Sequence, residues 1–142
     1  MDKSELAAEL LAGLGETLTV PDLRFDPDTG SIVLVFDGDL VVNVEFDSVT
    51  GRIVLSAYLG ELPEEGSEPA LREFMAANLY WHRTRGATLC LEEGTGGIIL
   101  VYGHAVTDLD AARFEAVVEN FVNQAEKWSA RLATLKTEAA AP

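Results

Sequence analysis

The sequence predicts an α+β domain in the order helix–three strands–helix–two strands–helix, with an antiparallel sheet and its helices on one face. Three observations carry this. Apolar residues recur at helical spacing in three segments. Between those segments lie short runs rich in β-branched residues. Turn chemistry of the Asp-Gly and Thr-Gly kind separates the runs.

Leu6, Leu10, Leu11 and Leu14 share one face of a helix over residues 4–14, with Asp2 and Ser4 as cap candidates and Gly13 and Gly15 marking its end. The first strand is Ser31–Phe36. Asp37-Gly38 then signals a hairpin into Leu40–Phe46, where Asn43 and Glu45 alternate with Val42, Val44 and Phe46, giving one wet and one buried face. A third strand, Arg52–Tyr58, follows Thr50-Gly51. The second helix starts near Ser67-Glu68-Pro69 and runs to about His82. Strands Thr88–Glu92 and Ile98–Tyr102 flank Gly94-Thr-Gly-Gly97. In the last helix, Thr107 with Asp110 has the spacing of a capping box. Phe114, Val117, Val118, Phe121, Val122, Ala125, Trp128 and Leu132 then form one apolar stripe. Residues 1–136 make a single domain and 137–142 a frayed tail. A helix joins the third and fourth strands, so their neighbour relation is not legible. Thr-Gly followed by β-branched residues occurs at 29–34, 50–55 and 95–100; turn chemistry accounts for this better than a repeat, because the spacing is uneven.

With 48% hydrophobic residues in 142, the chain carries enough apolar material for a core. Its 24 Asp and Glu against 10 Lys and Arg give a net charge of −14, which disfavours nucleic acid and acidic membrane surfaces as partners. A lone cysteine, Cys90, and an N-terminus without a secretory signal point to a cytoplasmic protein. No apolar run is long enough to cross a bilayer.

No catalytic pattern emerges, and the expectation is a non-enzymatic protein without cofactor or metal. Cys90 lies between Leu89 and Leu91 in a strand, where a cysteine usually serves as a small core hydrophobe. His82, His104 and Cys90 match no zinc spacing. Asp26-Pro-Asp28-Thr-Gly30 resembles the start of a calcium loop, yet its glycine falls at the fifth place and Asp37 replaces the twelfth-place Glu. Gly94-Thr-Gly-Gly97 lacks the lysine of a P-loop and precedes a strand.

Binding is better supported. The second helix carries Leu71, Phe74, Met75 and Leu79 on one side and Tyr80 and Trp81 on another, which fits either a subunit interface or a wide core face with exposed rings. The first strand is apolar on both faces, so either Val33 and Val35 or their neighbours Ile32, Leu34 and Phe36 face away from the core, open to a partner strand or segment or covered by another subunit or the N-terminal helix.

The element order, size and acidity resemble the Tir-chaperone (CesT-type) family of bacterial type III secretion chaperones. The residues behind the resemblance are Leu34-Val-Phe-Asp37, Val42-Asn-Val-Glu45, Tyr58-Leu-Gly-Glu-Leu-Pro63, Ala77-Asn-Leu79, Leu89-Cys-Leu-Glu92, Thr95-Gly-Gly-Ile-Ile-Leu100, Leu109-Asp110 with Phe114, and Phe121-Val-Asn-Gln-Ala-Glu-Lys-Trp128. His82 and Arg83 after Trp81 are similar to members that double as regulators. The resemblance implies a cytoplasmic homodimer that binds the N-terminal segment of a secreted effector in extended form and keeps it secretion-competent without ATP. A variant of the same fold would sequester a regulator of secretion-gene expression instead. By position, the resemblance implies client contacts at Leu6, Leu10, Leu14, Val33, Val35, Val42 and Val44, and a dimer interface at Leu79, Tyr80 and Trp81.

Overall fold

The computed structural model describes residues 2–17, 24–26, 30–36 and 39–141. Helix α1 spans Lys3–Thr17, and the Glu5 amide donates to Asp2 Oδ1 at 2.8 Å, so Asp2 is the cap. The helix passes Leu14, its expected end. Ala7, Leu10, Leu11 and Leu14 are its buried stripe.

Among the described residues six strands form one antiparallel sheet: β1 (Arg24–Asp26), β2 (Ser31–Phe36), β3 (Leu40–Asp47), β4 (Arg52–Glu61), β5 (Thr88–Glu92) and β6 (Gly97–Ala105), in the order β1-β2-β3-β4-β6-β5. The expected strands are present, and β1 is added. Its three residues are too short to show a period. The hairpin residues Asp37 and Gly38 lie outside the described residues, but Phe36 pairs with Leu40 across them. At the next turn Gly51 has φ +71° and its amide donates to Asp47 O at 2.8 Å. The Asp47 carboxylate accepts from Thr50 Oγ1 and from the Val49 amide, which hold its pKa below the usual value.

Helix α2 spans Glu68–Ala77 and stops short of the expected His82; a 3₁₀ turn, Leu79–Trp81, follows. Asn78 accounts for the break. Its side-chain Nδ2 donates to Leu89 O at 2.9 Å, and its Oδ1 accepts from the Leu89 amide at 2.8 Å. The amide thus pairs with the free edge of β5 as a strand would, satisfying backbone groups that an edge leaves open. Asn78→Ala removes both bonds and is expected to cost about 2 kcal/mol, at roughly 1 kcal/mol each. Urea denaturation measures this, and a loss below about 0.5 kcal/mol would mean that water replaces the amide fully.

Helix α3 spans Ala111–Ala140. Its cap is Asp110, whose Oδ1 accepts from the Arg113 amide at 2.8 Å, whereas Thr107 sits in a preceding 3₁₀ turn, Val106–Asp108. Its last residues lie beyond Thr137, where the sequence suggested fraying. Phe114, Val118, Phe121, Val122, Ala125, Trp128, Leu132 and Leu135 are buried. They meet Ile32, Leu34, Val42, Val44, Ile53 and Leu55 from the inner face of the sheet, and α2 adds Ala70, Phe74 and Ala77 to the same core.

Candidate partner-binding surfaces

Among the described residues, three apolar surfaces remain open around this core. The first is a groove of about 610 Å³ between α1 and the start of α3, lined by Leu6, Leu10, Gly13, Leu14, Leu109 and Phe114. The fold brings the three expected leucines together there. Leu10 and Leu14 are only 7% and 3% exposed, so they floor the groove and belong to the core, and half-buried Leu6 forms its rim.

The second surface is the outer face of the sheet. Val33 and Val35 are half-buried there, opposite Asn43 and Val41. The face continues through Tyr58, which pairs with Ile99, and Ser56, which pairs with Val101. Val41 and Tyr58 are 39% and 47% exposed. Val42 and Val44 do not share this face, which corrects the expectation for them. They pair with Leu34 and Ile32, point inward and are fully buried. The cause is the two-residue alternation of a strand, which sets Val42 opposite in direction to Val41 and Asn43. Val41, Tyr58, Ile99 and Val101 were not singled out from sequence. Alternation within each strand marks two faces, but only register aligns one face across four strands.

The third surface is the turn after α2. Leu79, Tyr80 and Trp81 are 67%, 73% and 52% exposed, with Met75 beside them in sequence on α2. Tyr80 and Trp81 both have φ 56°, a left-handed backbone that is costly for aromatic residues. The Trp81 indole N–H donates to Thr88 Oγ1 at 3.2 Å, which ties the turn to β5.

Glu9 and Asp110 also line the groove, and Asn43 and Ser56 lie on the outer sheet face. Arg131 grips Glu73 through two hydrogen bonds, 2.6 and 2.7 Å, and these hold the Glu73 carboxyl below its usual pKa. A depressed carboxyl contributes stability above its unfolded pKa and loses it as pH falls through the folded value. The stability gap between the wild type and Glu73→Gln is therefore expected to be full at pH 7 and to close below about pH 4.3, as followed by denaturation at several pH values. A gap unchanged down to pH 2 would count against the ion pair.

Cys90 is half-buried, and burial raises its thiol pKa, which lowers the thiolate fraction a nucleophile needs. His104 Nδ1 lies 3.1 Å from Ala105 O and its ring lies against Tyr102. Among the described residues no group of three His, Cys, Asp or Glu side chains gathers as a metal site. Of the calcium-like segment, residues 27–29 and Asp37 lie outside the described residues. Among the described residues no helix is long and apolar enough to cross a membrane.

The model of the Tir chaperone protein (CesT) family matches residues 9–129. No curated protein matches the chain. Among solved structures, a chain of the ExsC–ExsE complex is 27% identical, with a TM-score of 0.75, covering 93% of this chain and 97% of that one. A chain of the HopA1–SchA chaperone–effector complex is 19% identical, with a TM-score of 0.67 and the same coverage. A chain of the ExoU–SpcU complex from the type III secretion system of Pseudomonas aeruginosa is 15% identical, with a TM-score of 0.61, covering 90% and 95%. The last two likenesses speak to the fold. With the element order, the sheet and a family match over residues 9–129 in agreement, the chain belongs to the Tir chaperone protein (CesT) family.

Proposed function

We propose that this protein is a type III secretion chaperone that works as a homodimer and holds the N-terminal segment of a secreted effector in extended form. The observation that carries the reading is the α1–α3 groove, an apolar trough lined by Leu6, Leu10, Leu14, Leu109 and Phe114 on an acidic body. Family membership and the likeness to chaperone–effector structures support it. A protein that releases its client without ATP hydrolysis can hold it only by burying apolar side chains and pairing strands. The client's ordering cost moderates affinity for the area covered. The net charge of −14 keeps such a surface soluble. The exposed Leu79–Trp81 turn suits the dimer contact.

The test is capture from the bacterium with tagged protein, limited proteolysis of the complex and mass spectrometry. The reading expects a stoichiometric secreted protein protected over a stretch near its N-terminus, and a protected internal globular domain would oppose it. Leu6→Asp removes one rim contact worth about 1.5–3 kcal/mol, so client affinity should fall roughly 10- to 100-fold with the circular dichroism spectrum unchanged. Undiminished capture by that variant would take the groove out of the client site.

A second reading has the same fold and surface sequester a regulator of secretion-gene expression. The 27% identity to a chain of the ExsC–ExsE complex, a two-protein assembly, is the observation that keeps it in view. The identity of the captured protein separates the two readings.

A further inference from the structure

Basic side chains are scarce here, yet three of the ten line one cleft. A cavity of about 490 Å³ between α2 and α3 is bounded by Glu73, Arg83, Lys127, Trp128, Arg131 and Thr134. Arg131 is engaged by Glu73. Arg83 and Lys127 make no ion pair among the described residues, in a chain with 24 carboxylate side chains. Both lie over the Trp128 ring, at 5.6 and 4.8 Å from its centroid, and Lys127 Nζ donates to Arg83 O at 3.3 Å. Two cations held beside one ring repel each other. Protein carbonyl and π electrons offset this only in part. The turn that delivers Arg83 also contains three non-glycine residues with positive φ, Tyr80, Trp81 and Arg85, so its conformation is held against local backbone preference. Glu73 is the carboxylate whose field reaches both Arg83 and Arg131, with Glu138 also reaching Arg131, and both hydrogen bonds of Glu73 go to Arg131 rather than to Arg83.

We propose that this cleft binds an acidic segment of a protein partner, with Arg83 and Lys127 taking carboxylates while the Glu73–Arg131 pair shapes the wall. The complementarity is local: a basic cleft on an otherwise acidic body fits an acidic stretch and repels it elsewhere, which gives one docking position. Lys127, Arg131 and Thr134 follow one face of α3 over about 10 Å, a length that matches a short peptide segment with more than one carboxylate. This site is separate from the α1–α3 groove, and its occupation does not require the groove to be filled.

The probe is a fluorescein-labelled ten-residue peptide carrying four Glu among Ser and Ala, beside the same peptide with Gln at those places. Fluorescence anisotropy should show the full-length protein binding the Glu peptide at least tenfold more tightly than the Gln peptide. That binding should weaken as salt rises through about 0.05–0.3 M. Arg83→Ala with Lys127→Ala alters two exposed side chains and should lose at least tenfold with unchanged circular dichroism, while Leu6→Asp should bind the Glu peptide as the wild type does. Equal affinity for the two peptides, or an unaffected double variant, overturns the proposal. Inorganic phosphate binding at these residues without peptide binding overturns it in favour of a small-anion site. A shift of the double variant from dimer to monomer by light scattering overturns it in favour of a second copy as the occupant.

Discussion

Trp128→Ala is expected to lower stability by about 3–5 kcal/mol, a large share of the roughly 5–15 kcal/mol that holds a domain of this size. Trp128 is 2% exposed in the middle of the α3 stripe. Its ring meets Phe74 edge to face at 6.0 Å, which joins α2 to α3. Its indole N–H donates to Gln124 Oε1 at 3.3 Å, and Gln124 is itself buried. Alanine therefore leaves a cavity, frees Phe74 and strips a buried amide of its partner, and these losses act together. Trp128→Phe keeps most of the volume and removes only the N–H, so its cost should be nearer 1–2 kcal/mol. Urea denaturation of both variants checks the order. An alanine loss below about 1 kcal/mol would mean that α2 and α3 collapse onto the space.

Trp81→Glu is expected to turn the proposed dimer into a monomer. A two-fold interface is made by the same patch on both subunits, so one substitution strikes it twice. A central aromatic contact is worth about 2 kcal/mol or more on truncation. Two of them raise the dissociation constant by roughly a thousandfold, before the cost of setting two carboxylates against each other. Trp81 is half exposed and held by a single side-chain hydrogen bond to Thr88, so the fold should tolerate the change. Light scattering across a dilution series reads the result. An unchanged mass at low concentration, with the wild type dimeric, would move the interface away from the Leu79–Trp81 turn. Tyr80→Glu should act in the same direction, and Met75→Glu, on the body of α2, tests how far the contact extends.

The long periodic elements were the legible ones. The α3 stripe from Phe114 to Leu132 reads directly from sequence because eight apolar residues at helical spacing admit one buried face. The β2 and β3 strands read equally well, β2 as a run of β-branched and apolar residues and β3 through alternation, with a turn signal between them. Less legible were the ends. The sequence suggests helix through His82, since Leu79, Tyr80 and Trp81 continue an apolar pattern. The chain leaves the helix after Ala77 because Asn78 finds a better partner in the edge of β5, eleven residues on. Thr107 looks like a cap by spacing, yet Asp110 is the residue whose backbone is extended at the helix start. Both outcomes turn on contacts that local pattern does not contain.

The surfaces divide in the same way. The sequence by itself determined an α+β chain with one core, an acid excess, no catalytic pattern and more apolar surface than one core needs, because composition and period are properties of neighbours along the chain. Tertiary structure alone decided which apolar residues stay outside. Register placed Val35, Val41, Tyr58 and Ile99 on one open face and turned Val42 and Val44 inward. The insertion of β6 between β4 and β5 fixed the sheet edge that Asn78 covers, and the packing of α2 on α3 gathered Arg83, Lys127 and Arg131 from distant parts of the chain into one cleft. The physical reason is that burial and pairing are settled between segments distant in sequence, where periodicity carries no information.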